Sequence, residues 1–212
     1  MTHPIDAATR LAAARARLDA ANQRFAKTAE FRGSDGHVRH KCFVSYHAAD
    51  VEHAANFVEQ HKDVFIARAI GVEEGDGSII NSDDSDYIRD VIRTQYLGDT
   101  TVTIVLVGEC TWARKFIDWE IYASLRPSKT SPRNGLLGIL LPHAAGNAVV
   151  PERLLDNVPT TPDADAYAQF KVYPSYPSSL RDWVQAAFDA RQGKAELIDN
   201  TRPLYRRNRA CK

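Results

Sequence analysis

The chain has 212 residues, enough for one α/β domain with an added helix or tail and too few for two full catalytic domains. Its 27 lysines and arginines equal its 27 aspartates and glutamates, so no overall positive field would hold a polyanion, and general nucleic-acid binding is not expected. No apolar run reaches the length of a membrane span, the N-terminus lacks the apolar centre of a secretion signal, and a cytoplasmic location is expected; Cys42, Cys110 and Cys211 are too few and too irregularly spaced for a disulfide framework or a zinc site, and read as reduced thiols.

Residues 6 to 28 read as a helix whose Leu11, Ala14, Leu18, Ala21 and Phe25 recur at three- and four-residue steps. Such a stripe packs on its own domain or on a second helix. Gly33 to His37 break this arm, which with its linker occupies residues 1–38. From residue 39 apolar runs alternate with amphipathic stretches. Lys41 to Tyr46 is a first strand, Asp50 caps a helix through about His61, and Val64 to Ala67 is a second strand. An acidic loop, Gly71 to Gly77, reads as a lid or as plain exposed loop, and a helix from about Ser82 carries Ile88, Val91, Ile92 and Tyr96 on one face.

Thr101 to Val107 is a continuous β-branched run ending at Gly108, the pattern of a central parallel strand buried on both faces. The next helix holds Glu120 and ends near Arg126. A loop rich in Ser, Pro and Asn leads to a strand over Leu136 to Leu141, which Pro142 stops. Residues 142 to 168 are expected to wrap the surface, Phe170 to Tyr173 to form a short edge strand, and Ser179 to Arg191 a closing helix with Leu180, Trp183, Val184 and Phe188 facing inward. Residues 193–212 read as a polar, basic tail, frayed or touching acidic partners. The alternation over 39–192 implies a doubly wound sheet with right-handed crossovers.

Open α/β sheets bind ligands beyond the carboxyl ends of their strands, at the switch point in strand order. The stretch Thr111 to Glu120 follows the central strand and so belongs at that edge. Glu120 shares its helical face with Phe116, Ile117, Ala123 and Ser124, apolar company that would exclude water and raise its pKa; the plain alternative is a glutamate paired with a nearby cation. Asp118 reads as a solvated charge and Trp119 as core. Ser45, Tyr46 and His47 end the first strand beside the switch point, where they would hold ribose or phosphate, or simply make turn hydrogen bonds. Cys110, close to a helix N-terminus, would suit a cysteine hydrolase with His47, but no third, orienting group stands at a recognisable spacing.

Phe43-Val-Ser-Tyr46 opening the first strand, Asp86 to Ile92 on a helix, Thr103 to Gly108 along the central strand, and Phe116-Ile-Asp-Trp-Glu120 following it together resemble the TIR domain superfamily over about residues 40 to 190. The similarity is to its prokaryotic TIR-like branch, which includes the sensor subunits of Thoeris antiphage defence systems. The resemblance implies a flavodoxin-like three-layer fold with parallel strand order 2-1-3-4-5, here with an extra N-terminal helix. It also implies an enzyme that cleaves the nicotinamide bond of NAD, taken as substrate with no cofactor and no metal. The product would be ADP-ribose or a cyclic or conjugated derivative, a signal that a separate effector reads. Glu120 maps onto the family's catalytic glutamate, with Ser45, Tyr46, His47, Trp112 and Phe116 as substrate-binding candidates and Trp112 able to stack on nicotinamide or adenine. One carboxylate is enough for this reaction, because nicotinamide leaves as a neutral molecule and needs no acid, while positive charge builds on the ribose. Two alternatives stand beside it: a TIR-type interaction module that self-associates or recruits other TIR domains without turnover, and a nucleoside deoxyribosyltransferase-like enzyme.

Overall fold

The structure is a computed structural model that describes residues 6–28, 32, 36–70, 84–127, 132–161 and 163–211. Its centre is a five-stranded sheet, every adjacent pair parallel, in the order β2-β1-β3-β4-β5. The strands are β1 (Lys41–Ser45), β2 (Ile66–Arg68), β3 (Val102–Val107), β4 (Gly135–Leu140) and β5 (Gln169–Lys171). The helices are α1 (Ala7–Lys27), α2 (Val51–Gln60), α3 (Ser85–Ile92), α4 (Lys115–Ser124), α5 (Glu152–Leu155) and α6 (Pro177–Gly193). This is the flavodoxin-like arrangement, with the switch point between β1 and β3.

Period-two alternation divides the strand residues between two helical layers. Cys42, Val44, Ile104, Leu106, Leu137 and Ile139 pack under α1, α2 and α6. Phe43 faces α3 and α4, and Val105, Val107 and Leu136 face α4 and α5. All six β3 residues are buried, as a strand covered on both faces must be. Gly135 lets α6 press directly on β4: a Cβ there would lie 1.8 Å from the Ala187 carbonyl oxygen.

Asp6 caps α1 by accepting the Thr9 N–H at 2.8 Å, and the stripe of Ala14, Leu18, Ala21 and Phe25 is buried against α2 and β2. Asn22 fastens the contact by exchanging two hydrogen bonds with the Ala69 backbone, at 2.8 and 2.9 Å. The arm therefore lies on its own domain.

Several expectations need correction. β2 begins at Ile66, because the chain turns over His61 to Val64, where the Val64 N–H returns to the His61 carbonyl. Asp84 is the N-cap of α3, accepting the Asp86 and Tyr87 N–H groups; the loop from Gly71 to Gly77 and the helix start at Ser82 lie outside the described residues. Residues 142–168 do not merely wrap the surface, since they contain α5 with Leu154 and Arg153 in the interior, and Tyr167 is buried too. The tail is not frayed, and two of the thiols are not free: Cys110 and Cys211 form a disulfide that closes 101 residues of sequence. Cys42 is buried, and burial pushes its thiol pKa far above the ordinary value. Among the described residues no helix is long and apolar enough to cross a membrane.

Candidate active site

β3 ends at Val107, and the N–H of the next residue, Gly108, donates to Thr111 Oγ1 at 2.8 Å and so tightens the turn that follows. A 3-10 turn over Thr111–Ala113 and an extended Arg114 then lead into α4. No side chain of this stretch caps α4. Asn208 does so from the far end of the sequence, its Oδ1 accepting the Lys115 N–H at 2.9 Å.

Every residue of α4 from Phe116 to Ser124 is buried. Asp118 is one of them, contrary to its expected place in solvent: it is 4% exposed and accepts from Arg153 Nε at 2.8 Å, from Arg153 Nη2 at 3.3 Å and from the Tyr205 N–H at 2.9 Å. Arg153 also donates to Asn200 Oδ1 and the Pro203 carbonyl, so its donors are distributed over the segment that follows α6. Trp119 is core, as expected, and its Nε1 donates to the Tyr205 carbonyl at 2.9 Å. The C-terminal segment thus covers the flank of α4 that would otherwise meet water.

Glu120 is 4% exposed, and Ser45 Oγ, at the last residue of β1, donates to its Oε2 at 2.5 Å. Among the described residues it has no ion pair, so the plain alternative of a cation-paired helix glutamate does not hold. Burial pushes its pKa up to about 8; the Ser45 hydrogen bond pulls the other way without cancelling it. Glu120 thus lies at the carboxyl edge of the strands beside the switch point, the edge where open α/β sheets bind ligands.

The other candidate residues separate by strand alternation. Ser45 faces α4, whereas the half-buried Tyr46 ring packs on the opposite layer with α1, α2 and α6. His47 is half-buried, and burial together with the nearby Arg114 guanidinium lowers its pKa, so the free protein holds it neutral at pH 7. Phe116 is buried with Phe43, Ile88, Ile92 and Trp119, and meets the Trp119 ring edge-to-face at 5.3 Å between centroids. Trp112 is half-buried in the turn before α4.

One group at the switch point escaped the sequence reading. Asp50 does not cap α2 with its side chain; it is 6% exposed and meets His143 Nε2 at 3.0 Å, just after β4. Its second oxygen is buried with no hydrogen-bond partner among the described residues and lies against Gly108, where a Cβ would lie 2.2 Å away. His143 in turn stacks on His53, with centroids 3.9 Å apart. No local pattern signals a contact across 93 residues of sequence. Among the described residues no group of three or more His, Cys, Asp or Glu could hold a metal ion.

Residues 43–145 match the family model of the TIR-like domain of the Thoeris protein ThsB. The match runs from within β1 past the end of β4, and takes in Ser45, Asp50, Glu120 and His143. No curated protein matches the chain.

Proposed function

We propose that this chain, which carries a TIR-like domain of the Thoeris ThsB type over residues 43–145, consumes NAD by breaking its nicotinamide N-glycosidic bond. The observation that carries the reading is the Glu120 carboxyl group, buried with no countercharge among the described residues and held by one hydroxyl at the carboxyl edge of β1. At pH 7 the free protein keeps most of this group protonated. A positively charged nicotinamide ring, or the cation that develops on the ribose as the bond breaks, supplies the missing opposite charge and draws Glu120 into its ionised form. In a dry site such a carboxylate acts strongly on the sugar, and the departing nicotinamide needs no proton. Ser45 orients the carboxylate, His47 reaches toward ribose or phosphate, and the Trp112 ring stacks on a base, with Phe116 closing the wall. Water, a nucleophile of the same ADP-ribose or an acceptor's nucleophile then bonds to the anomeric carbon, giving respectively ADP-ribose, a cyclic or a conjugated derivative, which serves as a signal in antiphage immunity and is read by a separate effector.

Chromatography of nucleotides after incubating the full chain with NAD, and of extracts from phage-challenged cells expressing it, tests this directly. Loss of one group that stabilises the transition state by charge costs about 10²- to 10³-fold in rate. Glu120→Gln should lose product by at least that factor while keeping its circular dichroism. Equal product from wild type and variant removes Glu120 from the chemistry. No NAD loss in either setting favours the interaction module instead.

A further inference from the structure

Residues 202–207 and 209, together with Glu152, line a cavity of about 400 Å³ on the flank of the molecule, within the size range of small-molecule sites. Four of the lining side chains are arginines. Arg202 forks onto both Asp156 oxygens at 2.8 Å and reaches Glu152 at 3.2 Å. Arg209 forks onto both Glu152 oxygens at 3.0 and 3.1 Å and lies over the Tyr205 ring, whose hydroxyl also donates to Glu152 at 2.8 Å. The two carboxylates are thereby matched by two guanidinium groups. Arg206 and Arg207 are surplus: both are exposed, and neither has a bonded partner among the described residues.

A frayed tail would not hold these groups in a fixed place, but this segment is pinned at both ends. The Tyr205 N–H donates to the Asp118 carboxylate and its carbonyl accepts from Trp119 Nε1, the Arg209 N–H donates to the Ala113 carbonyl at 2.8 Å, and Cys211 is bonded to Cys110. We propose that this groove binds a small diphosphate-bearing anion, with Arg206 and Arg207 supplying forked, charge-assisted hydrogen bonds to its oxygens. Guanidinium planes suit phosphate geometry, and fixing the loop in advance removes most of the ordering cost of binding. The segment that presents them also caps α4, so occupancy acts on the helix that carries Glu120.

Calorimetric titration of the full chain with inorganic pyrophosphate, and separately with ADP-ribose, tests the site without requiring turnover, so its failure and that of the NAD reading are distinguishable. Saturable binding that weakens with salt is expected, and Arg206→Ala/Arg207→Ala should raise Kd about tenfold or more. Lys62→Ala, which removes a surface charge paired with Glu59, should leave Kd unchanged. Response to both ligands assigns recognition to the diphosphate alone, and response to ADP-ribose only adds the nucleoside to it. Absence of saturable heat with either ligand overturns the proposal, as does equal affinity in wild type and the double arginine variant when both melt at the same temperature.

Discussion

In the proposed reaction Glu120 carries opposite demands for stability and chemistry. An unfolded chain releases its proton near the ordinary 4.5, whereas the folded protein holds it to about 8. Between those values the native state binds the extra proton, so stability falls as pH rises through that window and levels off above it. Glu120→Gln removes this slope. The variant should melt with wild type near pH 4.5 and several degrees above it at pH 8, since about 1 kcal/mol moves the midpoint of a chain this size by roughly 2–4 °C. A pH series of thermal melts decides it, and parallel curves would mean that the carboxyl group is not desolvated. Activity should show the opposite trend, rising with pH as the carboxylate forms. Ser45→Ala removes the hydroxyl that favours the charged form, so the ascending limb of kcat/KM should move up by about one pH unit, with activity at pH 7 down about tenfold and largely recovered at pH 9. A uniform loss at every pH would instead assign Ser45 to substrate contact.

The element that matters most is α4, and its surroundings come from distant parts of the sequence. Asp118 is buried, and Arg153 is its cationic partner. Arg153→Ala would leave that carboxylate uncompensated, which costs about 3–5 kcal/mol, and denaturant titration should read a loss of this size. The disulfide ties the turn before α4 to Cys211 across 101 residues of sequence. In the chain-entropy account a loop of this length contributes about 4–5 kcal/mol by restricting the unfolded state. Peptide mapping without reductant should recover the Cys110 and Cys211 peptides joined. Adding a dithiol, or changing both residues to serine, should lower the melting temperature by the same amount. Hydrogen exchange should then quicken at Lys115, whose N–H loses its Asn208 acceptor as the strap loosens.

Across the whole molecule, α1 belongs to the fold and is not a spare surface. Its stripe is consumed against α2 and β2, with Phe25 4% exposed and the Lys41 ammonium 4.7 Å from its ring centroid. Phe25→Ala should cost about 3–5 kcal/mol, the range for an emptied aromatic core position, and the loss should appear in global unfolding rather than in self-association. Three layers joined in this way leave a crevice at the carboxyl ends of β1 and β3, the switch point at which open α/β sheets bind ligands.

The alternation of strands and helices was legible in the sequence because it follows from local periodicity, whereas the strand order came only with the resemblance to the TIR superfamily. The β-branched run before Gly108 requires burial on both faces, the stripe of α1 requires a partner, and Glu120 follows the central strand at helical spacing from Phe116. The surroundings of α4 were not legible. A ten-residue helix bearing Asp118 reads as half solvated; only the return of the C-terminal segment, held by Tyr205, Asn208 and Cys211, buries its second flank, and Arg153 of α5 gives Asp118 its cation. Pairings such as Asp50 with His143 and Cys110 with Cys211 were equally hidden. Periodicity specifies which face of an element avoids water, whereas the identity of the residue that meets that face depends on chain closure over long separations, which only the packed tertiary structure decides.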